Sequence, residues 1–443
     1  MKFRYYLAVV LLTCFGFASH LFAKGKAARP NVVLIFADDL GINDISCFGS
    51  EIATPNIDSL ARDGMKLEQF YVASPICTPS RFGLLTGTYP NRSKDNLHGA
   101  LMYLMERDDH RGIRQHETTI AKVLKKNGYR TALIGKWHLG HNDSDTLPGQ
   151  HGFDYTYGSQ GGCVDYFTTK YGYKPDWFRN AKPLVEAGYT TDLITDDALR
   201  YLKQQKKSDP FFLFLSYTAP HYGKGWDEET KQLTNILQAK PEDRARFKNI
   251  KDTNRLEYAA MVASMDDGIG RVLQALKNQK LDKNTLVIFT SDNGGDPRYG
   301  GSNDPFRGRK AQLFEGGIRV PCLMRWPGKI KAGTVSQQPA TTLDFFPTFS
   351  ALAGIRTEGR TLDGSDISSV LLQGKEFKRD LFWKLPSADA LRRSDWKYVR
   401  AGKEEFLFDL ATDPIESKNL ASEKPNLLKE LKTVHATVAA TIK

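Results

Sequence analysis

Four short apolar runs along the chain have the pattern of buried β-strands, and segments with helical periodicity lie between them. The apolar runs span residues 31–36, 129–134, 211–217 and 285–290. The helical segments span residues 56–63, 118–127, 190–204 and 256–277. Apolar strands that alternate with helices are typical of a parallel sheet covered on both faces. The pattern therefore predicts an α/β fold with a large, mostly parallel central sheet flanked by helices, and residues 223–247 are expected to form a charged loop.

The pattern changes after about residue 357. Segments typical of short antiparallel strands span residues 381–384, 396–400 and 405–410. A turn is expected at residues 401–402 and a final helix from about Pro425 to the end of the chain. We therefore predict a main domain over residues 24–356 and a smaller C-terminal α+β subdomain with an antiparallel sheet over residues 357–443.

The start of the chain has the pattern of a secretory signal peptide. A short positive start precedes an apolar run over residues 5–17, and Ala23 offers a cleavage position. The apolar run is too short for a stable membrane span. We therefore assign residues 1–23 to a signal peptide and expect an exported protein, periplasmic or extracellular. Lipid anchoring at Cys14, inside the apolar run, stays open.

Composition narrows the classes of partner and of covalent framework. The chain is 40% hydrophobic, which supports a packed core, and its net charge of +11 suits solubility or acidic partners such as sulfated glycans. Nucleic acid is the weakest option, because no recognised nucleic-acid module is present. Four cysteines would remain after export: Cys47, Cys77, Cys163 and Cys322. If one of them is committed to chemistry, we expect no dense disulfide framework and room for one bridge.

Polar and ionisable side chains follow all four predicted strands of the sheet. Ligands of open α/β sheets bind beyond the carboxyl ends of the strands, so these side chains are expected to meet in one site. They are Asp38 and Asp39, Lys136 and His138, His221, and Asp292 and Asn293. The carboxylates and the amide are hard oxygen ligands, which favour Ca²⁺ or Mg²⁺. Taken singly, each acidic motif is equally typical of a turn.

A second group of residues surrounds Cys77. Residues 77–81 have the sequence Cys-Thr-Pro-Ser-Arg, and Pro79 suits the first turn of a helix because its missing N–H would be unpaired there. Cys77 would then lie at a helix N-terminus, which favours a bound anion such as a sulfate ester. The Cys-x-Pro-x-Arg pattern, followed by Leu-Leu-Thr-Gly at residues 84–87, resembles the type I sulfatases of the alkaline phosphatase superfamily. The resemblance covers nearly the whole exported chain.

The resemblance implies a covalent mechanism that starts from Cys77. A formylglycine-generating enzyme or an anaerobic sulfatase-maturing enzyme would oxidise this cysteine to the aldehyde 3-oxoalanine (formylglycine), which hydrates to a gem-diol. One hydroxyl would attack sulfur and displace the alcohol, and the other would release the sulfate by elimination. The family also implies Ca²⁺, with Mg²⁺ less favoured, bound by Asp38, Asp39, Asp292, Asn293 and a diol oxygen of residue 77.

The resemblance also assigns a cationic set to the site. Arg81 would contact the diol and the metal site, and Lys136 and Lys310 would bind sulfate oxygens. His138 would accept a proton during the elimination. His221, alone or together with Lys310, would protonate the leaving oxygen. Substrate contacts are expected from loop residues near Lys310, namely Arg298, Tyr299, Arg307 and Arg309.

The sequence therefore predicts an exported sulfatase, a sulfuric ester hydrolase that acts on a sulfated carbohydrate during polysaccharide degradation. A loose likeness at residues 161–167 favours galactose or N-acetylgalactosamine sulfates. Two alternatives stay open. The chain could be a phosphate or phosphonate ester hydrolase of the same superfamily, or a non-catalytic protein that binds sulfated glycans with Cys77 unconverted.

Overall fold

A ten-stranded sheet runs through the main domain of the computed structural model, which describes residues 29–442. The predicted signal peptide and Cys14 lie outside the described residues. Over the described part of the chain, no helix is both long and apolar enough to cross a membrane.

The described residues form twenty strands and ten α-helices. The strands are β1 Asn31–Ala37, β2 Met65–Leu67, β3 Phe70–Tyr71, β4 Arg130–Gly135, β5 Tyr155–Gly158, β6 Lys170–Tyr171, β7 Lys174–Pro175, β8 Phe178–Arg179, β9 Lys182–Pro183, β10 Phe211–Ser216, β11 Gly223–Asp227, β12 Gln232–Ile236, β13 Thr285–Ser291, β14 Cys322–Arg325, β15 Thr334–Ser336, β16 Ala340–Thr341, β17 Asp380–Lys384, β18 Ala388–Arg393, β19 Trp396–Ala401 and β20 Glu404–Asp409. The helices are α1 Pro55–Arg62, α2 Cys77–Thr86, α3 Ile120–Lys126, α4 Thr190–Lys203, α5 Pro241–Arg244, α6 Thr253–Asn278, α7 Glu315–Ile318, α8 Phe345–Leu352, α9 Ser368–Gln373 and α10 Pro425–Ala440.

Five parallel strands form the centre of the large sheet, in the order β13-β1-β10-β4-β5. Antiparallel strands extend both sides, where β14 pairs with β13 and β8 pairs with β5. The mostly parallel α/β sheet predicted from the sequence is confirmed. Its outer strands were not predicted because they are too short, at two to four residues each, to give a hydrophobic period.

Helices cover both faces of this sheet because its central strands are apolar on both sides. The strands β1, β10 and β13 are buried along their whole lengths. The helices α1, α4 and α6 pack on one face, and α2, α3 and α8 pack on the other. Parallel strands end at the same edge of a sheet, so the residues that follow them are gathered there.

The C-terminal part forms an antiparallel sheet of four consecutive strands, β17 to β20, with α10 packed against it. The predicted antiparallel α+β part is thereby confirmed. Its second strand, β18, was not predicted because three of its six residues are charged (Asp389, Arg392 and Arg393). Hydrogen bonds to β17 and β19 on its two sides hold β18 as a strand, although its sequence has no strand-like hydrophobic pattern.

The segment expected to be a charged loop, residues 223–247, contains regular structure. The strands β11 and β12 form a hairpin in which Trp226 lies opposite Leu233, and α5 follows. A second, shorter hairpin of β6 and β7 lies beside it, because the Gly172 N–H donates to the Lys224 carbonyl oxygen at 2.9 Å. The charged residues between these positions conceal the hairpin in the sequence.

Candidate active site

The residues that follow the central strands lie together at the carboxyl edge of the sheet. Each of them is at most 5% exposed, and they are Asp38, Asp39, Lys136, His138, His221, Asp292 and Asn293. Gly135, the last residue of β4, allows this assembly. A Cβ at Gly135 would lie 1.8 Å from the Ser216 carbonyl oxygen, so only glycine lets β4 end this close to β10.

Cys77 is the first residue of α2 and is 2% exposed. The neighbouring Thr78 hydroxyl donates to the His138 carbonyl oxygen at 3.1 Å and accepts the Leu101 N–H at 3.1 Å, which ties the helix start to the residues after β4. Burial raises the pKa of the Cys77 thiol, so the unmodified side chain is a neutral thiol and a weak nucleophile. The four cysteines of the described residues are all unpaired, and the one bridge that the sequence left open does not form.

Arg81, one turn further along α2, links the helix to the strand ends. Its guanidinium donates to Asp292 Oδ2 at 3.0 and 3.2 Å and to the Ser216 hydroxyl at 2.7 Å. It also donates to the Lys136 carbonyl oxygen at 3.2 Å and lies 3.6 Å from Asp38 Oδ1. Fully buried and held by four groups, Arg81 is a fixed positive charge beside Cys77.

Two lysine–aspartate pairs enclose the same space. Lys136 Nζ donates to Asp38 Oδ2 at 2.5 Å, and Lys310 Nζ donates to Asp39 Oδ2 at 2.6 Å. Burial by itself would raise the pKa of Asp39, but Lys310 and His221 hold it well below its ordinary value. Burial and a neighbouring carboxylate raise the pKa of Asp38, although Lys136 opposes them. The site therefore contains closely balanced charges in a place with little water.

The oxygen-bearing side chains of the site fit a hard metal ion. The Asp39 N–H donates to Asp292 Oδ1 at 3.0 Å, and Asn293 Nδ2 donates to Asp39 Oδ1 at 2.8 Å, so these residues lie side by side. Asp38 Oδ1 and Asn293 Oδ1 are buried and accept no hydrogen bond from residues 29–442. Buried carboxylate and amide oxygens without donors are the ligands that Ca²⁺ and Mg²⁺ prefer.

The two histidines present their ring nitrogens in opposite ways. His138 Nε2 lies 2.8 Å from the Leu101 carbonyl oxygen and so carries the hydrogen, which leaves Nδ1 as an acceptor with no partner in the described structure. His221 Nδ1 lies 2.8 Å from the Tyr222 carbonyl oxygen, and its Nε2 lies 3.2 Å from Lys310 Nζ. Burial lowers the pKa of both imidazoles, that of His221 to about 3. Both rings are therefore neutral in this state of the site.

The three arginines predicted to bind substrate lie in two different places. Arg298 pairs with Asp296 at 2.6 Å, and Arg309 reaches the same carboxylate at 3.6 Å. Arg307 instead donates to the Glu416 carbonyl oxygen at 3.3 Å. Its guanidinium lies 4.2 to 5.9 Å from the ring centres of Phe314, Phe406 and Phe408. Arg307 thus contacts the C-terminal sheet rather than the carboxylate that holds the other two arginines.

Several residues that hold the site were not predicted from the sequence. Ser216 accepts Arg81, and Tyr258 of α6 donates to the Asp39 carbonyl oxygen at 2.9 Å. Asn303 accepts the Gly295 N–H at 2.8 Å and donates back to its carbonyl oxygen at 2.9 Å, which fixes the loop after Asn293. Of these three residues, only Ser216 could have been noticed in the sequence, as a serine at the end of an otherwise apolar strand. Tyr258 and Asn303 lie in segments without a motif.

The carboxylates, lysines and buried cysteine gathered beyond the strand ends form a site suited to hydrolysis of an anionic ester, on an alkaline phosphatase-like fold. The sequence model of the sulfatase family matches residues 30–355, and the one described as N-sulphoglucosamine sulphohydrolase, C-terminal, matches residues 308–441. The chain belongs to the sulfatase family and is a sulfuric ester hydrolase, as its sequence predicted.

Named relatives and a solved structure agree with this assignment. N-acetylgalactosamine-6-sulfatase of Rattus norvegicus is 35% identical over 82% of this chain and 70% of its own length. Arylsulfatase J of Mus musculus is 31% identical over 91% of this chain and 75% of its own length. The crystal structure of Ps i-CgsB in complex with k-i-k-neocarrahexaose has a TM-score of 0.81 and 34% identity, covering 91% of both chains.

Proposed function

We propose that this sulfatase is an exported enzyme that removes sulfate esters from a carbohydrate, through a formylglycine made from Cys77 and with Ca²⁺ bound beside it. The observation that carries the proposal is the position of Cys77. It begins α2 in a buried space that also contains the Arg81 guanidinium and the two lysine–aspartate pairs. A helix N-terminus and fixed cations favour an anionic substrate there.

The proposed metal ligands are Asp38, Asp39, Asp292 and Asn293. The buried oxygens of Asp38 and Asn293 that lack donors support this assignment. A bound Ca²⁺ would supply positive charge that orients the nucleophile and neutralises sulfate oxygens. Lys136 and Lys310 already hold one oxygen each of Asp38 and Asp39, so the carboxylates are oriented by the protein itself.

At residue 77, the hydrated aldehyde would supply one hydroxyl as nucleophile and a second through which sulfate is released. The side chains of the site would position the reacting groups and polarise the sulfuryl group. Arg81 cannot swing away, because Asp292 and Ser216 fix its guanidinium. The Lys136 and Lys310 ammonium groups would face negative charge that develops on the sulfuryl oxygens, and preorganised charges of this kind lower a barrier without reorganisation.

Proton transfer is assigned to the two histidines. The Leu101 carbonyl oxygen holds the Nε2–H of His138, and its Nδ1 has no hydrogen-bond partner within residues 29–442, so this nitrogen is suited to accept a proton as the sulfate is released. His221 Nε2 accepts from Lys310 Nζ, so the proton for the leaving oxygen would come from this pair. Lys310 is its charged member, since Asp39 raises the pKa of Lys310 against the effect of burial.

A sulfated galactose or N-acetylgalactosamine is the proposed substrate unit. The relatives named N-acetylgalactosamine-6-sulfatase and the structure determined with k-i-k-neocarrahexaose support this choice. Residues 161–167, which suggested it in the sequence, lie against the site. A Cβ at Gly162 would lie 2.6 Å from His138 Nε2. Of the three arginines, Arg298 and Arg309 stay candidates for substrate contact.

Export and maturation complete the proposal. The pattern of residues 1–23 supports export to the periplasm or the medium. A formylglycine-generating enzyme or an anaerobic sulfatase-maturing enzyme is then a required partner, because burial leaves the unmodified Cys77 a neutral thiol.

The test is sulfate release, measured by ion chromatography, from sulfated galactans, glycosaminoglycans and fucans after co-expression with a maturing enzyme. We expect release from one polymer class and its loss in Cys77→Ala. Cys47→Ala is the matched control, because Cys47 is a half-buried cysteine outside the site, and it should release sulfate like the unaltered chain. Release that persists in Cys77→Ala, or no release by a protein with the aldehyde at residue 77, would contradict the proposal. Phosphate and phosphonate esters would then be tested as the rival substrates.

A further inference from the structure

Two hairpins stand beside the active site and are joined to each other. They are β6–β7 and β11–β12, and we call them the paired hairpins. The Gly172 N–H donates to the Lys224 carbonyl oxygen at 2.9 Å, and the rings of Tyr173 and Trp226 lie 4.8 Å apart. The β11–β12 hairpin begins two residues after His221, so it starts directly beside the proton-transfer pair.

A row of aromatic rings leads from the active site to the paired hairpins. The Tyr222 ring lies 4.1 Å from the His221 ring and 4.4 Å from the Tyr299 ring. The Tyr171 and Tyr103 rings lie 5.5 Å apart and are each only 3% exposed, so they form a buried layer against which Tyr222 packs. The half-buried Tyr222 and Tyr299 rings adjoin the catalytic site, and aromatic surfaces of this kind suit the apolar faces of sugar rings.

Two lysines lie over these rings. Lys224 Nζ is 5.8 Å from the centre of the Tyr222 ring and 6.0 Å from that of Tyr171. Lys174 Nζ is 4.7 Å from the centre of the Tyr103 ring. Both side chains are half-buried, and within residues 29–442 neither ammonium has a carboxylate oxygen within 4.0 Å. By contrast, Lys231 in the turn of the same hairpin pairs with Glu228 at 2.8 Å.

Lys224 is held in place by a closed set of contacts. Its Nζ donates to Asn235 Oδ1 at 2.6 Å, and Asn235 Nδ2 donates to the Tyr299 hydroxyl at 2.7 Å. The Tyr299 ring packs against the Tyr222 ring, and Lys224 Nζ lies over the Tyr222 ring. An ammonium has three donors, so Lys224 retains hydrogen-bonding capacity for a ligand while its position is fixed in advance.

We propose that the paired hairpins form an anionic-sugar subsite, which binds the sugar unit next to the one that loses its sulfate and uses Lys224 and Lys174 to pair with a second sulfate or carboxylate on it. The inference rests on the proposed carbohydrate sulfatase function. It specifies the substrate class as an oligosaccharide with at least two anionic groups on neighbouring sugar units. A single sulfated sugar would fill the catalytic site alone and leave both lysines unused.

The test uses binding, so that it does not depend on turnover. Isothermal titration calorimetry with Cys77→Ala protein compares galactan and chondroitin tetrasaccharides that carry one or two sulfates per disaccharide. We expect the more sulfated form of at least one backbone to bind more tightly. Lys224→Gln should weaken its binding by roughly tenfold and bring the affinities of the two forms close together, because a charged hydrogen bond at a partly exposed site is lost. Lys231→Gln is the matched control and should change neither affinity.

The outcomes separate this inference from the proposed function. Equal affinities for the two degrees of sulfation on the galactan backbone, which carries no carboxylate, would overturn the subsite, and so would unchanged affinities in Lys224→Gln. An equal loss in Lys231→Gln would reduce the effect to general surface charge and would overturn it as well. Hydrolysis of 4-nitrophenyl sulfate by the matured protein is measured in parallel. Its absence counts against the proposed function, whereas the affinity ratio alone decides the subsite.

Discussion

A buried lysine joins the C-terminal sheet to the loop that carries Lys310. Lys397 of β19 is fully buried, with its Nζ 2.7 Å from Glu315 Oε1 and 2.8 Å from Glu416 Oε1. Glu315 begins α7, and its N–H donates to Glu416 Oε2 at 2.6 Å. Burial by itself would raise the pKa of Glu315, but Lys397 and a nearby arginine keep it below its ordinary value. Burial raises the pKa of Glu416, so this carboxyl can hold a proton.

Replacement of Lys397 by methionine should destabilise the protein by about 3 kcal/mol. Removal of one partner from a buried ion pair typically costs 3–5 kcal/mol, and we expect a value near the lower end because Arg319 still lies 3.5 Å from Glu315. The free energy of unfolding is measured by urea denaturation with pulse proteolysis. The double variant Lys397→Met/Glu315→Gln removes the unpaired charge and should recover about half of the loss.

The control for this experiment is Lys403→Met, an exposed lysine in the turn between β19 and β20, which should change the free energy of unfolding by less than about 0.5 kcal/mol. Two results would contradict this prediction. One is a cost below about 1 kcal/mol for Lys397→Met, since the pair would then be dispensable. The other is a double variant no more stable than the single one, since the loss would then come from packing rather than from an unpaired carboxylate.

Three further predictions concern the site and its surroundings. Chelation with EDTA should abolish sulfate release, and added Ca²⁺ should restore it. Asp292→Asn should raise the Ca²⁺ concentration needed for sulfate release. Full activity in EDTA would contradict the metal assignment. His221→Gln should lower kcat by about 10²- to 10⁴-fold for a sugar sulfate and by less for an aryl sulfate, whose leaving group needs no proton, and equal losses would argue for a structural role. Burial lowers the pKa of His151 to about 4 from an ordinary 6.5, so the unfolded chain binds more protons between these values. The contribution of His151 to stability should be complete above pH 6.5 and should fall by at most about 3 kcal/mol towards pH 4, so urea titrations should show a smaller loss for His151→Asn than for the parent protein over this range.

The sequence predicted the centre of the fold because β1, β4, β10 and β13 are apolar on both faces. Each of them therefore appears in the sequence as a continuous hydrophobic run that can be recognised as a buried strand. It did not predict the spatial order of these strands. Lys136 and Asp38 are 98 residues apart in the chain, and Lys310 and Asp39 are 271 apart, yet each pair is in hydrogen-bond contact. The spacing of hydrophobic residues along a strand does not show which strand lies beside it or which distant side chains come into contact.

The active site, like the fold, could be predicted from the sequence only in part. Residues within motifs, such as Cys77 and Asp292, could be named from the sequence, and the structure brings them together. Ser216 and Tyr258, which hold Arg81 and the Asp39 carbonyl oxygen, carry no motif, because their role depends only on packing. Lys224 was placed in a charged loop, since nothing local shows that Tyr171 and Tyr299, from two other segments, lie close to it.

The most direct test of sulfate ester hydrolysis by a formylglycine compares three esters on preparations that were matured to different extents. The values of kcat/KM are measured for 4-nitrophenyl sulfate, 4-nitrophenyl phosphate and a phenylphosphonate monoester, and each is divided by the fraction of residue 77 that mass spectrometry finds as the aldehyde. We expect the sulfate to be the best substrate and its uncorrected rate to rise in proportion to the aldehyde fraction, reaching zero in Cys77→Ala. A phosphate or phosphonate that is hydrolysed faster, or sulfate turnover that is independent of the aldehyde, would contradict it.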